Sequence, residues 1–193
     1  MRGAIIIPAL SLLIVCSCND ENRQSPASKL PADTVEKTKI ESADTPIYAI
    51  RIRPDVLLSL QQWDSTLQLR QYLGAPAKES TYKLDEHSDT FAGSYFRELE
   101  WPGLQIKLFS PRQNGNTFWV QEIILTSPAY ATSKDVRVGD SLGKVSQVYN
   151  ELQKFPGVNE NMYYVADAGY ERSIEMEFSG GKLVKLRMYY MMP

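Results

Sequence analysis

In four stretches of the chain apolar residues recur at every second position. IYAIRIR (47–53) sets Tyr48, Ile50 and Ile52 against Arg51 and Arg53. LQIKLF (104–109) puts Leu104, Ile106 and Leu108 on one side. SIEMEF (173–178) sets Ile174, Met176 and Phe178 against Ser173, Glu175 and Glu177. LVKLRMYY (183–190) sets Val184, Leu186, Met188 and Tyr190 against Lys185, Arg187 and Tyr189. Period-two alternation predicts strands with one face buried and one wet, as in an antiparallel sheet. FWVQEIILT (118–126) reads as a longer strand that is apolar on both faces. Gly180-Gly181 separates the last two strands and suits the positive φ of a tight hairpin. Asn114-Gly115 marks the tip of an earlier hairpin.

Two segments change to helical spacing. Leu142, Val145, Val148, Tyr149 and Leu152 fall on one face of a helix beginning at Ser141, with Asp140 as its N-cap and Phe155-Pro156-Gly157 as its stop. A second helix is predicted over 65–73, with Leu69, Tyr72 and Leu73 inward, Asp64 as cap and Gly74-Ala75-Pro76 as stop. Laid over each other at an offset of 76 residues, DSTLQLRQYLG (64–74) and DSLGKVSQVYN (140–150) share Asp-Ser and the pair Gln71/Gln147. Strands ending in a long apolar one follow each helix. The pattern predicts an α+β fold, with an antiparallel sheet and a short helix before each set of strands. It also predicts a tandem repeat over 47–130 and 131–193.

Ahead of this body the character changes. Arg2 and the 12-residue apolar run AIIIPALSLLIV (4–15) form an export signal too short for a permanent membrane span. Val15-Cys16-Ser17-Cys18 resembles the lipobox of bacterial lipoproteins. Cys18 is the lipidation residue that fits, because Val15 before Cys16 is too large for the −1 position. With Cys16 and Cys18 the only cysteines, cleavage and acylation leave no thiol for a disulfide. Residues 19–46 hold three prolines, ten charged residues and no aromatic, which predicts a disordered linker. The expected location is a Gram-negative envelope, at the outer membrane through the lipid, on its periplasmic or its surface face.

Composition narrows the partners. A formal net charge of −2, with Lys182, Lys185 and Arg187 interleaved among Glu171, Glu175 and Glu177, gives no electrostatic reason to expect nucleic acid. One motif invites chemistry: Gly139-Asp140-Ser141-Leu142-Gly143 satisfies both the GDSL esterase signature and the G-x-S-x-G elbow. A serine hydroxyl needs a base within hydrogen-bond reach. GDSL esterases carry the motif near the domain start with Asp-x-x-His downstream. Here it lies 51 residues from the end, and the single histidine, His87, precedes it. The expectation is mechanical, with Gly139 turning the chain and Asp140-Ser141 capping the helix. Asp85, Glu86, His87 and Asp89 lack zinc or EF-hand spacing and read as a solvated turn. Trp63, Trp101 and Trp119 read as core residues. No catalytic residue, metal or cofactor is expected.

The run VGDSLGKVSQVYN (138–150) resembles the recurring helix of small outer-membrane lipoproteins of the SmpA/OmlA (BamE) type. Its recurrence at 76 residues is similar to the tandem architecture of β-lactamase inhibitor protein. Asn150 stands where the former usually has Gly at the helix end, and Asn also accepts a left-handed cap. The resemblance spans about residues 63 to 190 and carries over no binding residue. What it implies is a non-catalytic binding or assembly role. The lack of a nucleophile–base pair and the two-faced strand FWVQEIILT point to a protein partner on a sheet face, for an assembly scaffold or an inhibitor of a secreted enzyme, with that strand the one to inspect. The alternative is a small-ligand or metal-binding lipoprotein using the aromatic and acidic loops.

Overall fold

The computed structural model describes residues 46–64, 66–85, 91–111, 117–157 and 160–191. Cys18, residues 19–45 and the hairpin tip at Asn114-Gly115 lie outside them. So do Ser65, the ring of Trp63 and Glu86, His87 and Asp89.

Each of the five strands legible in the sequence forms, at β1 (Ala49–Arg53), β6 (Leu104–Ser110), β7 (Phe118–Leu125), β11 (Arg172–Ser179) and β12 (Lys182–Tyr190). Seven more join them: β2 (Val56–Ser59), β3 (Trp63–Asp64), β4 (Lys78–Lys83), β5 (Tyr95–Trp101), β8 (Ala131–Thr132), β9 (Gln153–Lys154) and β10 (Met162–Ala166). The two helices are short, α1 (Thr66–Leu73) and α2 (Leu142–Val148). The α+β expectation is therefore corrected: the body is roughly all-β, a mostly antiparallel sheet carrying two small helices.

A three-stranded sheet runs β2-β1-β8. A larger one runs β4-β5-β6-β7-β12-β11-β10-β9, with β3 on β7 beside the end of β12. Each helix precedes a run of four antiparallel strands, and the two runs meet where β7 pairs with β12. The cross-strand register builds the core as rows. Leu99, Ile106, Ile123, Met188, Ile174 and Val165 stand opposite one another across six strands. The next row is Trp101, Leu104, Leu125, Leu186, Met176 and Tyr163. Every member is buried except Tyr163, which packs partly buried against the rest. Ile50 and Leu58 of the small sheet, Leu69 of α1 and Val145 of α2 complete this core. Cross-strand apolar pairs closed off from water supply most of such a sheet's stability.

Several inward assignments shift for identifiable reasons. Val184 is 39% exposed and Leu183 is buried in its place. A register shift at Glu177/Phe178 pairs Phe178 with Leu183 and turns Val184 outward. In α1, Leu69 is buried and Leu73 lies against the core, whereas Tyr72 is 37% exposed. Trp101 is a core residue, its Nε1–H donating to the carbonyl of Gly74 at 3.1 Å. Trp119 is instead on the opposite face of the sheet, as described below. α2 ends at Val148 with Tyr149 as its C-cap, so Leu152 lies beyond it. Gly180 and Gly181 both take positive φ, 55° and 73°, and close the β11–β12 hairpin.

The β5–β6 hairpin turns through Pro102-Gly103. Gly103 has φ 75°, and a Cβ there would stand 2.1 Å from Ser127 Cβ. Gly103→Ala should therefore cost about 2 kcal/mol or more, through strain and a clash with the neighbouring loop. Ile106→Ala, emptying a fully buried position in the first core row, should cost about 2–5 kcal/mol. Urea unfolding monitored by tryptophan fluorescence measures both.

Candidate functional site

Opposite the core, the large sheet presents a second set of rows. From the β4 edge one row reads Lys78, Glu100, Gln105 and Ile124. It continues through Arg187, Glu175 and Tyr164 to Gln153 of β9. The adjoining row is Ser80, Glu98, Lys107, Glu122 and Tyr189. Both helices and the small sheet contribute their buried residues to the other side. At strand spacings of about 4.8 Å, the first row crosses eight strands.

Ion pairs order this face. Lys78 meets Glu100 at 3.2 Å and Lys107 meets Glu98 at 3.8 Å. Arg187 bonds Glu122 through Nε and Glu175 through Nη1, the latter at 3.2 Å, and stacks 4.5 Å over the ring of Tyr189. The Glu122 and Glu175 side chains are 14% and 16% exposed and the Arg187 side chain 40%. Desolvation opposes the guanidinium charge, but bonds and charge from Glu122 and Glu175 outweigh it, so Arg187 titrates above the ordinary arginine value. Burial, then the nearby Glu175 carboxylate, raises the Tyr189 phenol. One cation thus serves two carboxylates in a fixed arrangement.

Next to these rows lies an aromatic one. Tyr82, Phe96, Phe109 and Trp119 stand in register, with ring centroids 5.6, 5.2 and 5.3 Å apart. Phe91 packs edge-on against Phe109 and Tyr190 against Trp119. Lys107 Nζ lies 4.4 Å over Phe96. Such tilted and edge-on pairs are favoured by the ring quadrupoles. Two shallow depressions open on this face, of about 190 and 330 Å³, and Glu122 and Ile124 line both. A third, of about 530 Å³, lies between Tyr48, Tyr164, Tyr170, Asp167 and Arg172. There Arg172 holds Asp167 at 2.9 Å and sits 5.0 Å over the Tyr48 ring.

The GDSL segment is elsewhere and has a mechanical arrangement. Gly139, at φ 95°, turns the chain. Ser141 is the N-cap of α2, its Oγ accepting the Lys144 amide at 3.2 Å. The cap thus falls one residue after the expected Asp140. Asp140 instead accepts the Arg137 amide and Lys144 Nζ, both at 2.8 Å. Burial works against its charged form, yet the Lys144 bond, the Arg137 amide and both cations hold its pKa below the usual carboxylate value. Asp64 belongs to β3 and pairs with Phe118 in the backbone register. α1 begins at Thr66, and residue 65 before it lies outside the described residues. Gly143, the last letter of the elbow match, is inside α2 with open space around it.

Cys18 and His87 fall outside the described residues, and of the acidic cluster only Asp85 is described. Among the described residues no three His, Cys, Asp or Glu side chains come together to hold a metal ion. The outer-face rows were missed in sequence because they join residues from eight separate strands. The one available signal was the apolar outer position Ile124 within FWVQEIILT. Comparison of the chain with protein-family models, with curated proteins and with solved structures finds no match in any of the three.

The geometry around α2 sets the effect of three substitutions. Ser141→Ala should lower stability by about 1 kcal/mol, while Gly143→Ala should raise it by about 0.8–1 kcal/mol, both read by denaturant unfolding. Asp140→Asn should lower the melting temperature at neutral pH. A depressed folded pKa stabilises fully above the unfolded value of 3.8 and is lost as pH falls through the lower folded value. The wild-type advantage should therefore vanish in melts taken in strong acid.

Proposed function

We propose that this chain is a non-catalytic bacterial lipoprotein, anchored through Cys18 to the outer membrane, that binds a protein partner on the outer face of its large sheet. The observation that carries this reading is that face itself. It is crossed by register-aligned polar side chains, opened by two adjoining depressions and left on the side away from both helices. Rigid ion-paired side chains on strands suit recognition, because little ordering entropy remains to be lost on binding. The lipobox-like VCSC segment and the proline- and charge-rich 19–46 stretch support a tethered body held clear of the lipid.

The body is further read as two tandem repeats, 47–130 and 131–193. In support, each helix precedes four antiparallel strands, and the two sets meet at the antiparallel pair β7–β12. That order agrees with the resemblance to SmpA/OmlA (BamE)-type lipoproteins and to β-lactamase inhibitor protein, and so with an assembly scaffold or an inhibitor-like module. A small-ligand role is the second reading. It is favoured by the depression at Tyr48, Tyr164, Tyr170 and Arg172, where aromatic and charged groups converge.

Crosslinking in intact cells followed by affinity purification tests the first reading, with Cys18→Ala as control. A defined envelope protein should be recovered with the intact chain and lost with Cys18→Ala. Equal recovery from both forms counts against the anchor. If neither form recovers a specific protein, the small-ligand reading takes precedence.

A further inference from the structure

The reading of the outer face as a protein-binding surface is the premise here; what can be added is the chemistry of the segment it receives. Ile124 is the one aliphatic residue in its row and lies half-buried where the two depressions meet. Glu122 borders both depressions beside it. Five carboxylates and three cations line the two: Glu98, Glu100, Glu122, Glu175 and Glu177 against Lys107, Lys185 and Arg187. Lys78 answers Glu100 from the β4 edge and Lys107 answers Glu98. Glu177 stands opposite Lys185 in the register. The negative excess therefore settles on Glu122 and Glu175, which divide a single guanidinium between them.

We propose that the outer face receives a segment of a different protein that seats an aliphatic side chain on Ile124 and a Lys or Arg beside it on Glu122. The depressions, about 190 and 330 Å³, hold a few side chains, which suits an inserted loop or hairpin. Other occupants fit less well. A second copy of this chain would bring the same Glu122–Arg187–Glu175 array against itself, setting like excess charge against like. A glycan needs an accessible ring to stack on, yet Phe96 and Phe109 are 6% and 4% exposed and Lys107 covers Phe96, while the exposed ring of the row, Tyr82 at 39%, lies on β4 at the sheet edge, away from Ile124 on β7. A polyanion is repelled by the carboxylate excess.

The test replaces Ile124 with an aliphatic diazirine amino acid, which keeps an apolar side chain of similar size at that position, in the full-length lipoprotein in its own cells, with the exposed turn residue Asp55 as an off-face control. Mass spectrometry maps the attachment point. The expected result is an adduct at Ile124, absent at Asp55, on a partner segment carrying Lys or Arg within two residues of an aliphatic side chain. Its yield should fall at least fivefold with Glu122→Gln, and also with Glu98→Lys, which leaves the Arg187 array in place. Both variants are checked by thermal melting. Adducts on an acidic or uncharged segment, on a glycan or on a second copy overturn the proposed chemistry while leaving the face a binding surface. So does a yield indifferent to Glu98→Lys in a protein that melts normally. No adduct at Ile124, with or without one at Asp55, overturns the sheet-face reading itself.

Discussion

Four register pairs between β7 and β12 hold the large sheet together: Leu125 with Leu186, Ile124 with Arg187, Ile123 with Met188 and Glu122 with Tyr189. Apart from the short β3, which pairs with β7 beside β12, one side of this seam is β4–β7 and the other β9–β12. The seam is secured from both faces. Inward, Ile123, Leu125, Leu186 and Met188 are buried at 1% exposure or less and join the two core rows into one apolar layer. Outward, Arg187 ties Glu122 of β7 to Glu175 of β11. The same backbone pairing thus completes the core and fixes the ion triad, so the geometry of the outer face is inherited from the packing beneath it.

Single-strand patterns explain what was legible in the sequence. β6, β11 and β12 each bury one side and wet the other, and alternation revealed them. β4 was invisible because KESTYK is exposed at all six positions and shows no contrast. YFRELEW of β5 puts Phe96 into the outer aromatic row while Leu99 and Trp101 face the core, so its alternation breaks midway. MYYVA of β10 is tyrosine-rich on both faces and offers no polar phase. These omissions, together with a reading of α2 that ran on to Leu152, made the chain look more helical than it is. The bulge that exposes Val184 depends on the partner strand β11, and no pattern within β12 alone encodes it.

The outer face resisted sequence reading for a related reason. Lys78, Glu100, Gln105, Ile124, Arg187 and Glu175 are ordinary surface residues in their own strands and acquire meaning only through register. The caps show the opposite scale. Ser141 rather than Asp140 receives the Lys144 amide, a one-residue difference decided by Gly139 and by the bond from the Arg137 amide to Asp140. A local motif can place such a cap only to within a residue.

The strand order also determines when the fold can close. β12, at the centre of the large sheet, is the last of the described strands in sequence order, and β1 must wait for β8, some eighty residues later, to find its second neighbour. A chain emerging from its N-terminus can form the β5–β6–β7 hairpins early and add β3, but residues 122–125 of β7 keep one edge unpaired until residues 186–189 arrive. Non-local pairing of this kind delays closure of the sheet until the distant partner strand is available. The most central pairing of the large sheet therefore joins the two neighbouring strands farthest apart in sequence within it, so its two flanks can form before its middle does.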